Sequence, residues 1–121
     1  MLDHITLKVA DFNRAAAFYD AALIPLGISK LWGEAQFCGY GSNGKPYFWI
    51  GAGPRPTSAA HVAFAAKDRA TVAAFHAAAL AAGGRDNGAP GLRPQYHPTY
   101  YGAFVLDPDG HNIEAVCHGP G

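Results

Sequence analysis

The chain's 121 residues, 50% of them hydrophobic, suffice for one domain with a core and fall short of two ordinary ones. Lys plus Arg number 9 and Asp plus Glu number 9, so no basic face or acidic tail points to nucleic acid or an anionic membrane as a partner. No apolar run approaches a membrane span, "MLDHITLKV" lacks the basic and apolar regions of a signal peptide, and Cys38 and Cys117 lack a zinc or redox spacing, so a reducing, cytoplasmic setting is expected.

In chain order, residues 4–9 alternate as a strand, with His4, Thr6 and Lys8 on one face and Ile5, Leu7 and Val9 on the other. Asp11 stands where a helix N-cap belongs, ahead of an Ala-rich amphipathic segment over 12–24 that Gly27 stops. Strands are expected near 28–33, 35–41 and 46–51, followed by a Gly- and Pro-rich linker, "GAGPRPTSA", over 51–59. A second strand over 61–65 sets His61, Ala63 and Ala65 against Val62 and Phe64, and Asp68 caps a helix over 69–82. A weak strand lies near 84–88. The stretch "DNGAPGLRPQYHPTYY", 86–101, has the composition of a long irregular loop, and loops of that length are often functional. Strands over 101–106 and 111–117 follow, joined by the turn "DPDG", where Pro108 presets φ and Gly110 relieves the exit.

The two halves repeat without a gap. "HITLKVADFNRAAAFYDAALIPLG", 4–27, aligns with "HVAFAAKDRATVAAFHAAALAAGG", 61–84, so that His4 matches His61, Asp11 matches Asp68, Phe18 matches Phe75 and Gly27 matches Gly84. Each half has the pattern βαβββ. The expected fold is α+β, one domain of two such modules, 1–53 and 59–118.

The last strand carries a carboxylate, Glu114, between Ile113 and Ala115. Strands are depleted in Glu, and an unpaired buried carboxylate is costly. If Ile5, Leu7, Val9, Val62, Phe64, Ile113 and Ala115 all pack under the helices, then His4, His61 and Glu114 all point to the open face. Two imidazoles and one carboxylate there would bind one divalent cation, Fe, Mn, Zn or Ni, with coordination positions left open. The cation would supply the charge that a buried Glu114 needs.

"LDHITLKVAD…RAAAFYDAALIPLG", "HVAFAAKD" and "YGAFVLDPDGHNIEAV" together resemble the vicinal oxygen chelate superfamily, the glyoxalase/bleomycin-resistance/extradiol-dioxygenase group, over essentially the whole chain. The resemblance implies two βαβββ modules curled around a metal. By position its ligands fall on His4, His61 and Glu114. It implies chelation of a small molecule through two adjacent oxygens, followed by lyase, isomerase or dioxygenase chemistry. Small two-module members of the group commonly pair, so a homodimer is expected. Glyoxalase I has a further carboxylate on the last strand of its first module. The matching stretch here, "KPYFWIGAG", 45–53, has none, so efficient glyoxalase I activity is not expected. Bleomycin-resistance proteins of this size use the fold without the metal triad, which makes a non-catalytic, antibiotic-sequestering binder the alternative.

Around this set, Tyr101 and His97 are candidates for acid–base chemistry beside Glu114. Tyr100 and Arg93 are candidate substrate contacts, Arg93 through a carboxylate. Phe48, Trp49 and Ile50 occupy the strand that lacks the carboxylate, and at least one of them should make the pocket apolar. His111 and His118 read as peripheral, Cys38 as an inert buried thiol, and the Phe18/Tyr19 and Phe75/His76 pairs as core.

Overall fold

Two Asp residues start the two helices. Asp11 accepts the amide of Arg14 at 3.1 Å and Asp68 that of Thr71 at 2.8 Å, satisfying donors that a first helical turn leaves free. In this computed structural model, which describes residues 1–120, the helices are α1, Phe12–Ala22, and α2, Arg69–Ala81. α1 ends earlier than its pattern suggests. Pro25 draws the next residues into a 3₁₀ turn, Ile24–Leu26, and Gly27 leaves it at φ 78°.

The strands are β1 Ile5–Val9, β2 Ser29–Glu34, β3 Phe37–Ser42, β4 Lys45–Ala52, β5 His61–Ala65, β6 Arg85–Leu92, β7 Tyr101–Leu106 and β8 Asn112–Cys117. They form two four-stranded mixed sheets of identical connectivity, β1-β4-β3-β2 and β5-β8-β7-β6. β1 runs parallel to β4 and β5 parallel to β8; the other neighbours are antiparallel. Two βαβββ modules are therefore present. Their two sheets close no barrel among the described residues; β1 and β5 each remain an edge.

The stretch 86–101 is not all loop. β6 takes its first part, to Leu92, despite Gly88, Pro90 and Gly91. As an edge strand it needs only one row of hydrogen bonds, and register irregularities between Asp86 and Gly91 absorb the Pro and the glycines.

One apolar core joins both modules. Leu7, Val9, Phe48 and Ile50 from the first sheet and Phe64, Val105 and Ile113 from the second meet Phe18, Tyr19, Val72 and Phe75 of the helices. Phe48 and Phe64 touch edge to face at 5.3 Å across the module boundary. Phe18 and Phe75 are core residues, as their helical spacing suggests. A cavity of about 420 Å³ lies where β1 approaches β5, lined by Leu2, His4 and Ile5 on one side and Val62–Ala65 on the other.

Candidate metal and substrate site

Glu114 sits on a central strand. β8 is flanked by β5 and β7, and Glu114 is opposite Ala63 on one side and Phe104 on the other. Its neighbours Ile113 and Ala115 are fully buried in the core under the helices. The pleat therefore turns Glu114 to the opposite face. There its side chain is only 1% exposed, against 51% for His61. His61 Nε2 lies 2.8 Å from Glu114 Oε1. The Tyr100 hydroxyl donates to Oε2.

Burial, the hydrogen bond to Glu114 and the carboxylate's charge push the Tyr100 phenol up to about 12, so it is a neutral donor at physiological pH. Tyr96 and His118 brace its ring edge-on, at 5.1 and 5.2 Å. Phe104 completes the local floor, 6.3 Å from the His61 ring.

Tyr101, the residue expected in the pocket, lies on the other face. It packs against the core, and the Arg69 guanidinium of α2 stands 5.0 Å over its ring. The reason is pleat parity: Phe104 shares a face with Glu114, so Gly102 and Tyr100 do too, and Tyr101 does not. His97 also stays away from Glu114. Its Nδ1 accepts the Thr99 amide at 3.2 Å and its ring packs against His118. Arg93 is on the site face. It stands 5.4 Å over the Phe104 ring, with Nη2 donating to Ala89 O at 2.8 Å.

In the first sheet, Phe48 and Ile50 point into the core, so neither contributes to an open-face pocket; Phe48 instead borders the cavity between the sheets. Trp49 alone of the three faces outward. It stacks on Phe37 at 5.2 Å with an interplanar angle of 15°, and Trp32 closes against both rings. Glycines make this platform possible. A Cβ on Gly39 would lie 2.7 Å from the Trp49 ring, and one on Gly51 would lie 2.6 Å from Phe37. The aromatic and glycine alternation in "FCGYGS" and "YFWIGA" is the sequence signal for it.

The repeat gives Trp49 a second meaning. His4 and His61 are 57 positions apart, so Thr6 corresponds to Ala63. Thr6 pairs with Trp49, and Ala63 pairs with Glu114. Trp49 thus holds the place in module one that Glu114 holds in module two.

His4 belongs to the first sheet. Its Nδ1 lies 2.7 Å from Asp3 Oδ1, and Lys45 Nζ lies 3.0 Å from Asp3 Oδ2. These two partners hold the Asp3 carboxyl below its usual range. A carboxylate on Nδ1 favours the tautomer whose Nε2 is unprotonated and able to ligate. Among the described residues, however, no three metal-ligating side chains gather within the chain. His61 and Glu114 form a pair, with donor atoms spaced as two ligands of one cation would be; His4 is not brought to them. The donor set fits a divalent metal in type, with two of its three members together.

His111 is not peripheral. It is fully buried, and its Nδ1 accepts the Ala60 amide at 3.2 Å. Its neighbour in the turn, Asp107, accepts the hydroxyl of Tyr19 from α1.

Residues 1–115 match the family model described as Glyoxalase/Bleomycin resistance protein/Dioxygenase superfamily. A glyoxalase/bleomycin resistance protein from Albidiferax ferrireducens is similar at 32% identity and a TM-score of 0.82, covering 97% of this chain and 98% of that one. Two solved structures share the fold at lower identity. The fosfomycin resistance protein FosX from Listeria monocytogenes, in a form complexed with Mn(II) and dihydroxypropylphosphonic acid, has 21% identity, a TM-score of 0.68, and 95% and 87% coverage. A lactoylglutathione lyase from Agrobacterium tumefaciens has 17% identity, a TM-score of 0.69, and 97% and 92% coverage. No curated protein matches the chain.

Proposed function

We propose a function from one premise: the chain belongs to the glyoxalase/bleomycin resistance protein/dioxygenase superfamily. It is a divalent-metal-dependent enzyme of the cytoplasm acting on a small molecule with two adjacent oxygens, by lyase, isomerase or dioxygenase chemistry. The observation that carries this is a fully buried carboxylate, Glu114, whose Oε1 meets His61 Nε2 on an open sheet face. FosX from Listeria, a protein of the same fold, is described with Mn(II) and a vicinal diol. Bound there, the cation would act as a Lewis acid toward a substrate oxygen. His61 and Glu114 would hold it, and the Asp3 contact would present His4 Nε2 as a third ligand. Arg93 would take a substrate carboxylate, and the face of Trp49 would take an apolar, planar part of the substrate.

The third ligand comes from a second copy. His4 stands on one sheet and the His61–Glu114 pair on the other, and each sheet ends in an edge strand, β1 or β5, the β1 edge being met at Lys8 by Thr57 of the linker. A two-fold dimer that sets module one of one copy beside module two of its partner would complete two equivalent sites. Sedimentation is expected to show a dimer at micromolar concentration. A monomer at high micromolar concentration would count against it.

The test of function is elemental analysis of untagged protein purified without chelator. Stoichiometric divalent metal is expected, and it should be lost in the His4→Ala and His61→Ala proteins. Mixing those two variants should restore roughly a quarter of the sites, because half of randomly paired dimers are mixed and each mixed dimer holds one intact site. No restoration would place the site within one chain. Metal-free protein that still bound planar aromatics would favour the second reading, a non-catalytic binder, to which the outward-facing, half-buried Trp32–Phe37–Trp49 platform is suited.

Glyoxalase I activity is expected to be poor. Proton transfer between adjacent carbons needs a base, and the module-one position that could offer a carboxylate holds Trp49 instead. With Ni(II), Zn(II), Mn(II) or Fe(II) in turn, kcat/KM on the methylglyoxal–glutathione adduct should stay below about 10⁴ M⁻¹s⁻¹. Turnover above that level would show that another residue serves as the base.

A further inference from the structure

Glu114 has two oxygens, and the structure treats them differently. Oε1 adjoins His61 Nε2 at 2.8 Å. Oε2 receives the Tyr100 hydroxyl. We propose that Tyr100 is a positioning residue that occupies Oε2 of Glu114, so that the carboxylate offers only Oε1 to a metal shared with His61. The inference rests on the metal reading above.

Three features build the contact. The first is a glycine. Gly102, the next residue on that face of β7, leaves room where a Cβ would lie 3.4 Å from Glu114 Oε2 and 3.2 Å from the Tyr100 ring. The ring lies beside this gap. The second is bracing. Tyr96 and His118 grip the ring on two edges, and His118 is itself tied down, its carbonyl accepting Thr99 Oγ1 at 2.5 Å. The third is the backbone around it: Tyr100 O accepts the Arg93 amide at 2.7 Å and Tyr100 N donates to His97 O at 3.1 Å, closing the loop into a fixed frame. A phenol held this way is a donor that does not wander, and at 1% exposure Glu114 has little water to turn to instead.

Ligand oxygens held by a fixed outer donor keep one orientation, and loss of such donors weakens metal binding 10–100-fold. The loop 93–100 delivers a hydroxyl to the ligand, with Tyr96 packed against the ring that carries it.

The experiment compares wild-type and Tyr100→Phe dimers for Mn(II) affinity and for the visible spectrum of bound Co(II). Phe keeps the ring, its bracing and the Gly102 gap, and removes only the donor. The expected result is Mn(II) binding weaker by about tenfold or more, with an altered Co(II) spectrum as Oε2 becomes free to chelate. Tyr100→Leu should lose affinity to the same extent, because the hydroxyl rather than the ring is what matters. Equal affinity and an unchanged spectrum in Tyr100→Phe would overturn the proposal and leave the metal site standing. Wild-type protein that takes up neither Mn(II) nor Co(II) would overturn both.

Discussion

Glu114→Gln is expected to cut divalent-metal occupancy at least tenfold and to leave the metal-free protein as stable as before or more so. The amide has the shape of the carboxylate, so no cavity opens. What disappears is a negative charge that is 1% exposed and whose hydrogen-bond partners among the described residues are His61 and Tyr100. Holding a charge there costs free energy that two hydrogen bonds offset only in part. The glutamine oxygen can accept from one neighbour, and its NH₂ can donate to the other, since both the phenol oxygen and a neutral imidazole nitrogen accept. The metal-free fold therefore loses little. Metal binding loses its only anionic ligand, a larger change than loss of an outer-shell donor, which alone costs 10–100-fold.

The cleanest readout is thermal. With metal at roughly 100 times its dissociation constant, the wild-type protein gains about 2.7 kcal/mol from linkage. The variant should show no metal-dependent rise in Tm. A variant that melts several degrees below wild type without metal, yet still responds to metal, would mean that Glu114 holds the fold and not the ion.

The parts of the fold legible in the sequence were those set by short-range physics. The two capped helices, the paired strand starts and the DPDG turn each follow from a cap, an alternation or a fixed φ. The repeat also points to the same βαβββ pattern in both halves. Two things were not legible. Gly88, Pro90 and Gly91 argue locally for loop, yet β6 forms because an edge strand against β7 tolerates them. On sequence alone Tyr101, which begins a strand, is the candidate for chemistry beside Glu114, and Tyr100 is not. Only the register across β7 and β8, Phe104 against Glu114, decides which parity faces the site. A strand's own residues specify two faces but not which one is inside; the neighbouring strand settles that. Parity likewise divides Trp49 from Phe48 and Ile50. His4 shows a further limit: alternation placed it on an open face correctly, but two sheets have two open faces.

Asp107→Ala is expected to destabilise the protein by roughly 3–5 kcal/mol, because it leaves three donors without their acceptor at about 1–3 kcal/mol each. Asp107 is 2% exposed. Its Oδ1 accepts the amides of Asp109 at 2.9 Å and His111 at 2.8 Å, which shapes the turn. Its Oδ2 accepts the Tyr19 hydroxyl from α1. Burial first, and then the Asp107 charge, push the Tyr19 phenol well up, which keeps it a donor. Asp109 adds a second tie to module one, accepting the Ala10 amide at 3.1 Å just before α1. The DPDG turn is therefore a clamp as well as a corner, seating module two on the first helix. Alanine would strand a buried hydroxyl and two amides at once, each costing about 1–3 kcal/mol when unpaired. Tyr19→Phe strands less and should cost about 1.5–3 kcal/mol, the worth of a hydrogen bond to a charged group. Because the two side chains share one bond, the double variant should fall short of the sum by about 1–3 kcal/mol in a mutant cycle. Denaturant melts of the four proteins measure this directly. Strict additivity, or an Asp107→Ala cost below about 1 kcal/mol, a value ordinary for a surface position, would mean that the turn shapes itself alone and that the shared apolar core by itself holds the modules together.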